Sequence, residues 1–281
     1  MIKVENLCKS LGDFKIEDIS FKLDKGYIMA LVGPNGSGKT TLIKMILGLI
    51  KADRGEIKLF DKNLFEDEVY VKDNIGFVFD SFNFYSNFKV KDFKKIARES
   101  YSKFNSKVFD SYIKKFNINP KAYIGNLSKG EAMKVMLANA LSHDAKLLIL
   151  DEPTAGLDPV VRKELLSILQ EEIVGGNKSV ILSTHITSDV DDIADYVTFI
   201  NKGKLVFSKD MEEIKDKYRI LRGPRGEFEN SNINFISIKE KKYYCEGLYI
   251  DETGREDEKT HIPKLEEIIY YYVKGEEQWL T

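Results

Sequence analysis

One glycine-rich segment constrains this chain more than any other. Residues 27–32 are almost continuously apolar, and a stretch with helical character runs from Lys39 to Leu49. Between them the chain reads Gly33-Pro34-Asn35-Gly36-Ser37-Gly38-Lys39-Thr40. In a strand–loop–helix unit, such glycines let backbone N–H groups converge on phosphate oxygens at a helix N-terminus. The segment therefore predicts a phosphate-binding loop; a chance glycine turn is the alternative, against which the flanking strand and helix argue.

The side chains at the end of this loop have separate predicted roles. Lys39 is expected to reach the β- and γ-phosphates of a bound nucleotide. The hydroxyl of Thr40 is placed to bind Mg²⁺. We also include Thr41 among the residues that contact the nucleotide, together with residues 33–40.

A second apolar run ends in two adjacent carboxylates. Residues 147–150 are all apolar, and Asp151 and Glu152 follow directly. Burial of two carboxylates is unfavourable unless cations or ligands meet them. We predict that Asp151 is a Mg²⁺ partner and that Glu152 is the general base for an attacking water. The alternative is that the pair caps the next helix, which the phosphate loop upstream makes the weaker interpretation.

With both motifs present, the segment Leu127-Ser128-Lys129-Gly130-Glu131 completes a resemblance to the ABC ATPase family over roughly residues 1–210. The resemblance implies ATP as the nucleotide. It also implies that Ser128, Gly130 and the following helix N-terminus bind the γ-phosphate held by a second subunit, so that two chains form two shared sites. Ser128 is also an ordinary helix N-cap residue. Lys129 stands where glycine is usual, a variant associated with cassettes of the ABC-2 export type.

Two further segments resemble family motifs. Ala155-Gly156-Leu157-Asp158 is similar to the D-loop, which adds Asp158 to the expected site. His185, after Ser183-Thr184, is similar to the switch histidine, which implies contact with the γ-phosphate. A lone histidine is more often structural, but one at the end of a strand downstream of a phosphate loop is a better candidate for function.

Several positions depart from the family pattern. Asp80 stands where glutamine usually binds Mg²⁺ and the attacking water; we still expect it at the metal, although an ionised aspartate cannot donate a hydrogen bond. Leu11 replaces the aromatic residue that usually stacks on adenine, which leaves Phe14 as a substitute.

A cluster of aromatic residues follows Asp80. The cluster either forms a groove that receives a helix from a membrane subunit or belongs to the core between the helical subdomain and the sheet. The cluster consists of Phe82, Phe84, Tyr85 and Phe88.

Hydrophobic periodicity predicts the organisation of the chain. Alternating residues in 1–24 indicate an antiparallel β layer, and later strand-like runs indicate a largely parallel core sheet. The periodicity predicts a mixed α/β domain with a helical subdomain at about 81–141, and the resemblance implies that it is a cassette of the P-loop ABC type. The cassette is predicted to span 1–218, and a small α+β appendage 219–281.

Net charge does not decide between classes of partner. The value of -2 gives no global attraction to nucleic acid or to anionic lipid, but it is compatible with a local basic patch. No nucleic-acid partner is expected. The longest apolar runs fall short of the roughly 18–20 residues that cross a bilayer, and the N-terminus lacks the order of a secretory signal. Cys8 and Cys245 have no metal-ligand spacing, which indicates free thiols. The chain is therefore expected to stay in the cytoplasm, and the resemblance implies a peripheral subunit on the cytoplasmic face of the cell membrane.

The resemblance implies an ATP-hydrolysing motor subunit of an exporting transporter. Its expected partners are an integral membrane permease on a separate chain and a second cassette, either identical or paralogous. One alternative is an ABC-type ATPase that acts on nucleic acid or ribosomes, although such relatives generally carry two cassettes or a long coiled-coil insertion. Another is a regulatory module without turnover, against which Lys39, Asp151, Glu152 and His185 argue.

Overall fold

A computed structural model describes residues 1–80, 86–252 and 259–278. The chain divides into two compact units, Met1–Ser208 and Lys209–Thr281. This division lies earlier in the chain than the predicted boundary near residue 218. The helix Met211–Lys217 lies in the second unit, together with the strand that begins at Tyr218 and pairs with Ile250.

The first unit is built on one sheet, with ten strands among the described residues. These are β1 (Ile2–Leu11), β2 (Phe14–Leu23), β3 (Ile28–Val32), β4 (Arg54–Leu59), β5 (Lys62–Asn63), β6 (Ile75–Val78), β7 (Leu147–Asp151), β8 (Ser179–Thr184), β9 (Tyr196–Asn201) and β10 (Lys204–Asp210). Their order is β5-β4-β1-β2-β10-β9-β3-β8-β7-β6. The first four in this order pair antiparallel, whereas β9, β3, β8, β7 and β6 pair parallel. The predicted antiparallel layer and parallel core are confirmed.

Three of the helices of this unit begin after a residue that favours a helix start. They are α1 (Lys39–Ile46), α2 (Glu68–Asp73), α3 (Val90–Ser100), α4 (Ser106–Lys115), α5 (Lys129–Leu141), α6 (Pro159–Ile173) and α7 (Thr187–Ile193). Asn105, Ser128 and Asp158 accept backbone hydrogen bonds as N-caps of α4, α5 and α6. Helices α3 to α5 lie in the region predicted to be helical.

The core sheet is buried on both faces. In β7, Leu148 and Leu150 pack in a cluster with residues of α5 and α6, whereas Leu147 and Ile149 pack with residues of α1 and β1. This alternation follows from the two-residue period of a strand, and burial on both faces explains the continuous apolar run. Asp151, the last residue of β7, is thereby fixed at the carboxyl edge of the sheet.

The second unit contains a four-stranded antiparallel sheet of order β12-β13-β11-β14. Its elements are α8 (Met211–Lys217), β11 (Tyr218–Gly223), α9 (Arg225–Glu229), β12 (Phe235–Glu240), β13 (Cys245–Ile250), β14 (Thr260–His261) and α10 (Leu265–Gln278). Helix α10 packs on β12 and buries Leu265 and Ile268. Within the described parts of both units, no helix is long and apolar enough to cross a membrane.

Candidate active site

The glycine-rich loop leaves β3 and enters α1 as predicted. A Cβ atom at Gly33 would lie 2.2 Å from the carbonyl oxygen of Ile200, so only glycine fits there. Lys39 opens α1, and its side chain is only 6% exposed. Its ammonium donates hydrogen bonds to the carbonyl oxygens of Gly33 at 2.8 Å and Pro34 at 3.3 Å. The loop therefore wraps around the lysine that is predicted to meet phosphate.

A turn between β9 and β10 holds this loop against β2. The N–H group of Gly203 donates to the carbonyl oxygen of Ser37 at 2.9 Å. The carbonyl oxygen of Gly203 accepts from the N–H group of Glu17, also at 2.9 Å. A Cβ atom at Gly203 would lie 1.7 Å from the carbonyl oxygen of Lys15, so the close approach requires glycine. The loop is thus fixed by residues distant in sequence.

Ser183 organises the two carboxylates at the end of β7. Its hydroxyl donates to Oδ1 of the buried Asp151 at 2.5 Å and accepts from the N–H group of Glu152 at 2.9 Å. Ser183 has no predicted role of its own. Its place two residues before His185 is a weak signal, and the parallel register that sets Asp151 beside Ser183 is visible only in the structure.

Glu152 lies between two basic groups. Its Oε1 is 3.4 Å from the ammonium of Lys39, and its Oε2 is 2.7 Å from Nδ1 of His185. The Glu152 side chain is 16% exposed, whereas His185 is 45% exposed and faces the open side. The carboxylate of Glu152 is therefore in contact with both an ammonium and an imidazole, and the catalytic roles of these groups stay predictions.

These groups line one cavity of about 560 Å³. The cavity brings together most of the loop with several distant side chains. Its lining consists of Phe14, Asn35, Gly36, Ser37, Gly38, Lys39, Thr40, Thr41, Asp80, Lys129, Glu152, Ala155 and His185. Among the lining residues, Lys129 has no predicted contact with the nucleotide. In the sequence it is noted only because it replaces the usual glycine of its motif.

Three predicted site residues, Ser128, Gly130 and Asp158, do not line this cavity. The hydroxyl of Ser128 accepts from the N–H group of Glu131 at 3.2 Å and donates to its carboxylate at 2.8 Å. The backbone hydrogen bond from Ser128 also holds the pKa of the Glu131 carboxyl below its usual value. Asp158 accepts from the N–H groups of Val160 and Val161. Within one chain, Ser128 and Asp158 are helix caps, and their part in a shared site stays a prediction.

The structure distinguishes the two residues considered for contact with adenine. Phe14 lines the cavity, with its ring 3.0 Å from the position of a Cβ atom at Gly38. Leu11 is 40% exposed and lies outside the lining. Of the aromatic cluster, Phe82, Phe84 and Tyr85 lie outside the described residues. The remaining member, Phe88, accepts a backbone hydrogen bond from Ile124 at 2.8 Å.

The oxygen-bearing side chains near the cavity fit a magnesium ion that would be bound partly by the protein and partly by the phosphates of a nucleotide. Thr40 and Asp80 line the cavity, and Asp151 stands beside Glu152. In the described ranges, no group of three or more His, Cys, Asp or Glu side chains is arranged to hold a metal by itself. Protein-bound Mg²⁺ usually takes one or two carboxylates plus substrate phosphates. The buried hydroxyl of Ser37, which has no hydrogen-bond partner among the described residues, also fits a ligand oxygen in this cavity.

A phosphate loop, its buried lysine and a carboxylate positioned for water activation define a nucleoside-triphosphate hydrolase of the P-loop class. Comparison with known proteins narrows the class. A family model described as "ABC transporter" matches residues 16–155. The bacitracin transport ATP-binding protein BcrA of Bacillus licheniformis is 31% identical over 222 residues, which cover 78% of this chain and 72% of BcrA.

Two further matches agree with this result. A sulfate/thiosulfate import ATP-binding protein, CysA of Bacillus cereus, is 30% identical over 281 residues, covering 96% of this chain and 76% of CysA. A solved structure described as the ATP-binding subunit of an ABC transporter is 25% identical with a TM-score of 0.70, covering 76% of this chain and 92% of that one. This chain belongs to the ABC transporter ATP-binding family, whose members hydrolyse ATP to drive transport.

Proposed function

We propose that this chain is the motor subunit of an exporter and acts through a membrane-spanning subunit on a separate polypeptide. The observation that carries the proposal is the contact of Glu152 with both Lys39 and His185 beside the phosphate loop. This contact puts a carboxylate at the point where the terminal phosphate of ATP would meet the lysine. Hydrolysis of ATP at that point would provide the free energy for transport.

The residues support an in-line attack on the γ-phosphorus. Lys39 and the loop N–H groups bind the β- and γ-phosphates, and Glu152 takes a proton from the attacking water. The water oxygen bonds to phosphorus while the bond to the bridging β-phosphate oxygen breaks, which gives ADP and phosphate. His185 orients Glu152 through their hydrogen bond. When bound by Thr40, Asp151 and Asp80, Mg²⁺ would neutralise phosphate charge.

We propose further that two such cassettes close around two ATP molecules. Ser128, Gly130 and Asp158 of one subunit would then contact the nucleotide of the other. The family supports this, since its ATP-binding subunits form dimers of cassettes and pair with membrane permeases. The second cassette is either another copy of this chain or a paralogue. Pairing with a permease would hold the complex at the cytoplasmic face of the cell membrane.

The relatives differ in what their names say about transport. BcrA is named for transport of bacitracin, without a direction. Lys129, the variant associated with export-type cassettes, supports export. Import is the second candidate, because the import protein CysA aligns with 96% of this chain.

The membrane partner can be tested by capture. A tagged Glu152→Gln chain is expressed in its native cell, and detergent-solubilised membranes are purified with ATP and Mg²⁺ and identified by mass spectrometry. We expect an integral membrane protein of several helices, retained by Glu152→Gln and lost from the Lys39→Ala, Glu152→Gln double variant. Recovery of ribosomal or DNA-bound proteins in its place would overturn the transporter proposal.

Direction can be tested with the purified complex in inside-out vesicles, whose nucleotide-binding side faces the medium. An exporter accumulates substrate inside these vesicles when ATP is added, with bacitracin as the first compound to try. Vesicles containing the Glu152→Gln chain provide the control. ATP-dependent loss of preloaded sulfate from the vesicles would instead establish import.

A further inference from the structure

A buried carboxylate joins the two chain segments that carry Glu152 and His185. Asp189 lies in the first turn of α7 and is only 1% exposed. One of its oxygens accepts a hydrogen bond from the hydroxyl of Thr154 at 2.6 Å, and the other pairs with the guanidinium of Arg162 on α6. Thr154 is equally buried and comes two residues after Glu152. The carboxylate therefore connects the turn after β7 with the start of α7.

His185 lies between this connection and the end of the sheet. Only residues 185 and 186 separate the end of β8 from the start of α7. Just before them, the hydroxyl of Ser183 accepts a hydrogen bond from the N–H group of Glu152. Just after them, Asp189 accepts its hydrogen bond from Thr154. The two segments are therefore joined by hydrogen bonds on both sides of the 2.7 Å contact between Glu152 and His185.

The ion pair of Asp189 with Arg162 fixes the position of α7. A buried ion pair contributes little net stability, because removing the charges from water offsets most of their attraction. It does fix direction, since both oxygens of Asp189 are bonded and Arg162 also donates to the hydroxyl of Ser188 at 2.6 Å. Thr154, Arg162 and Asp189 do not line the cavity, so they act on a reaction there only through other residues.

The two catalytic candidates differ in how far they depend on Asp189. The backbone of Glu152 is held separately, because its N–H group donates to both the hydroxyl and the carbonyl oxygen of Ser183. The imidazole of His185 is 45% exposed, and within residues 1–80, 86–252 and 259–278 its hydrogen bond goes to Glu152 alone. A shift of α7 would therefore be felt first at His185.

We infer that Asp189 is a positioning residue that sets the imidazole of His185 against the carboxylate of Glu152. Misplacement of a reacting group by about 1 Å can lower a rate by about a hundredfold. The phosphate loop binds the nucleotide without contact to Asp189, so the hydrolysis rate depends on this residue and the affinity for ATP does not. The inference deepens the proposed function and rests on catalysis at Glu152.

A double-variant cycle with the full-length chain in its purified complex tests this role. We expect Asp189→Ala to lower the single-turnover rate constant at saturating Mg-ATP about ten- to hundredfold, and to change the affinity for Mg-ATP less than about twofold. In a His185→Ala chain, the same substitution should lower the rate constant less than about twofold, because the group that Asp189 positions is absent. A residue that only stabilises the fold would lower both rate constants by the same factor.

Glu172→Ala is the matched control. Glu172 is another carboxylate with both oxygens bonded, to the hydroxyl of Tyr112 at 2.8 Å and to the ammonium of Lys178 at 2.5 Å. Its side chain is 16% exposed, and it lies outside the cavity. Its replacement should leave the rate constant within about twofold of the parent. Urea denaturation shows which variants are folded under the assay conditions.

Thr154 provides a second test, which decides the matter if Asp189→Ala does not fold. Thr154→Val removes the hydroxyl at similar size and leaves Asp189 paired with Arg162. It should lower the rate constant about three- to tenfold, whereas Thr154→Ser retains the hydroxyl and should retain the parent rate. Equal rate constants in Thr154→Val and Thr154→Ser would overturn the role of Asp189.

The outcomes separate this role from the proposed function. An equal loss of rate from Asp189→Ala with and without His185 would overturn the positioning role and leave catalysis at Glu152 in place. Turnover by Glu152→Gln at the parent rate would instead remove the proposed catalysis, and the inference with it.

Discussion

Glu152 has a left-handed backbone conformation, with φ of 48°, which glutamate seldom adopts. Such a conformation is unfavourable by about 1–3 kcal/mol and persists only where the surroundings hold it. Two hydrogen bonds hold it here, from the Glu152 N–H group to the hydroxyl and the carbonyl oxygen of Ser183. The strained residue is the one that must direct a carboxylate towards both Lys39 and His185.

Replacement of Glu152 with glutamine should separate binding from hydrolysis. We expect ATPase activity to fall by about 10²- to 10⁴-fold, because the amide cannot accept the proton of the attacking water. ATP binding should be retained, since the phosphate loop is unchanged. Steady ATPase assays and nucleotide titration measure the two effects, with the exposed Glu171→Gln as control. Turnover near the parent rate would remove Glu152 from this role.

Replacement of Ser183 with alanine should reduce both stability and turnover. The buried Asp151 loses a donor, and the N–H group of Glu152 loses an acceptor. We expect the free energy of unfolding to fall by about 1–3 kcal/mol, measured by urea denaturation, together with a lower ATPase rate. Ser167→Ala, an exposed serine of α6, should change stability by less than about 0.5 kcal/mol. Full activity in Ser183→Ala would contradict the positioning role of this hydroxyl.

At the level of secondary-structure elements, the sequence predicts the features that depend on residues close together in the chain. The unit formed by β3, the phosphate loop and α1 was predictable because glycine placement and apolar runs act over short distances. The contact of Ser183 with Asp151 was not, because the register of β7 and β8 is set by packing between distant segments.

The residues that follow α5 introduce a pH dependence of stability. His143 is fully buried and stacks on Tyr101 at 3.9 Å, with Nε2 3.1 Å from the carbonyl oxygen of Ile75. Burial lowers the pKa of His143 below 6.5, although hydrogen bonds to Ile75 and Asn139 oppose the shift. The unfolded chain therefore binds a proton at higher pH than the folded chain.

The free energy of unfolding should consequently decrease as pH falls below about 6.5. Urea denaturation at about pH 7.5 and about pH 5.5 measures the decrease. His143→Gln should reduce this pH dependence, because the titrating group is removed, whereas replacement of the exposed His261 with glutamine should leave it in place. An identical pH dependence in His143→Gln would show that other groups cause it.

On the scale of the whole molecule, the complete cavity and its supporting hydrogen bonds lie within Met1–Ser208. We therefore expect a chain of residues 1–210, cut where β10 ends, to fold and to bind ATP within about twofold of the full-length affinity. Nucleotide titration and thermal unfolding measure both properties. A chain of residues 1–201 is the control, because it lacks Gly203 and should bind ATP weakly. Loss of binding in 1–210 would show that the second unit is required.

The hydrogen bond from Gly203 to Ser37 also has a consequence for synthesis on the ribosome. The phosphate loop is made early, but the turn that fixes it is made on the order of ten seconds later, at typical elongation rates. Nascent chains should therefore be unable to hold ATP until nearly all of the first unit has emerged. Since a ligand that binds only the folded state stabilises it by mass action, cellular ATP should protect finished cassettes and leave incomplete ones open to proteolysis.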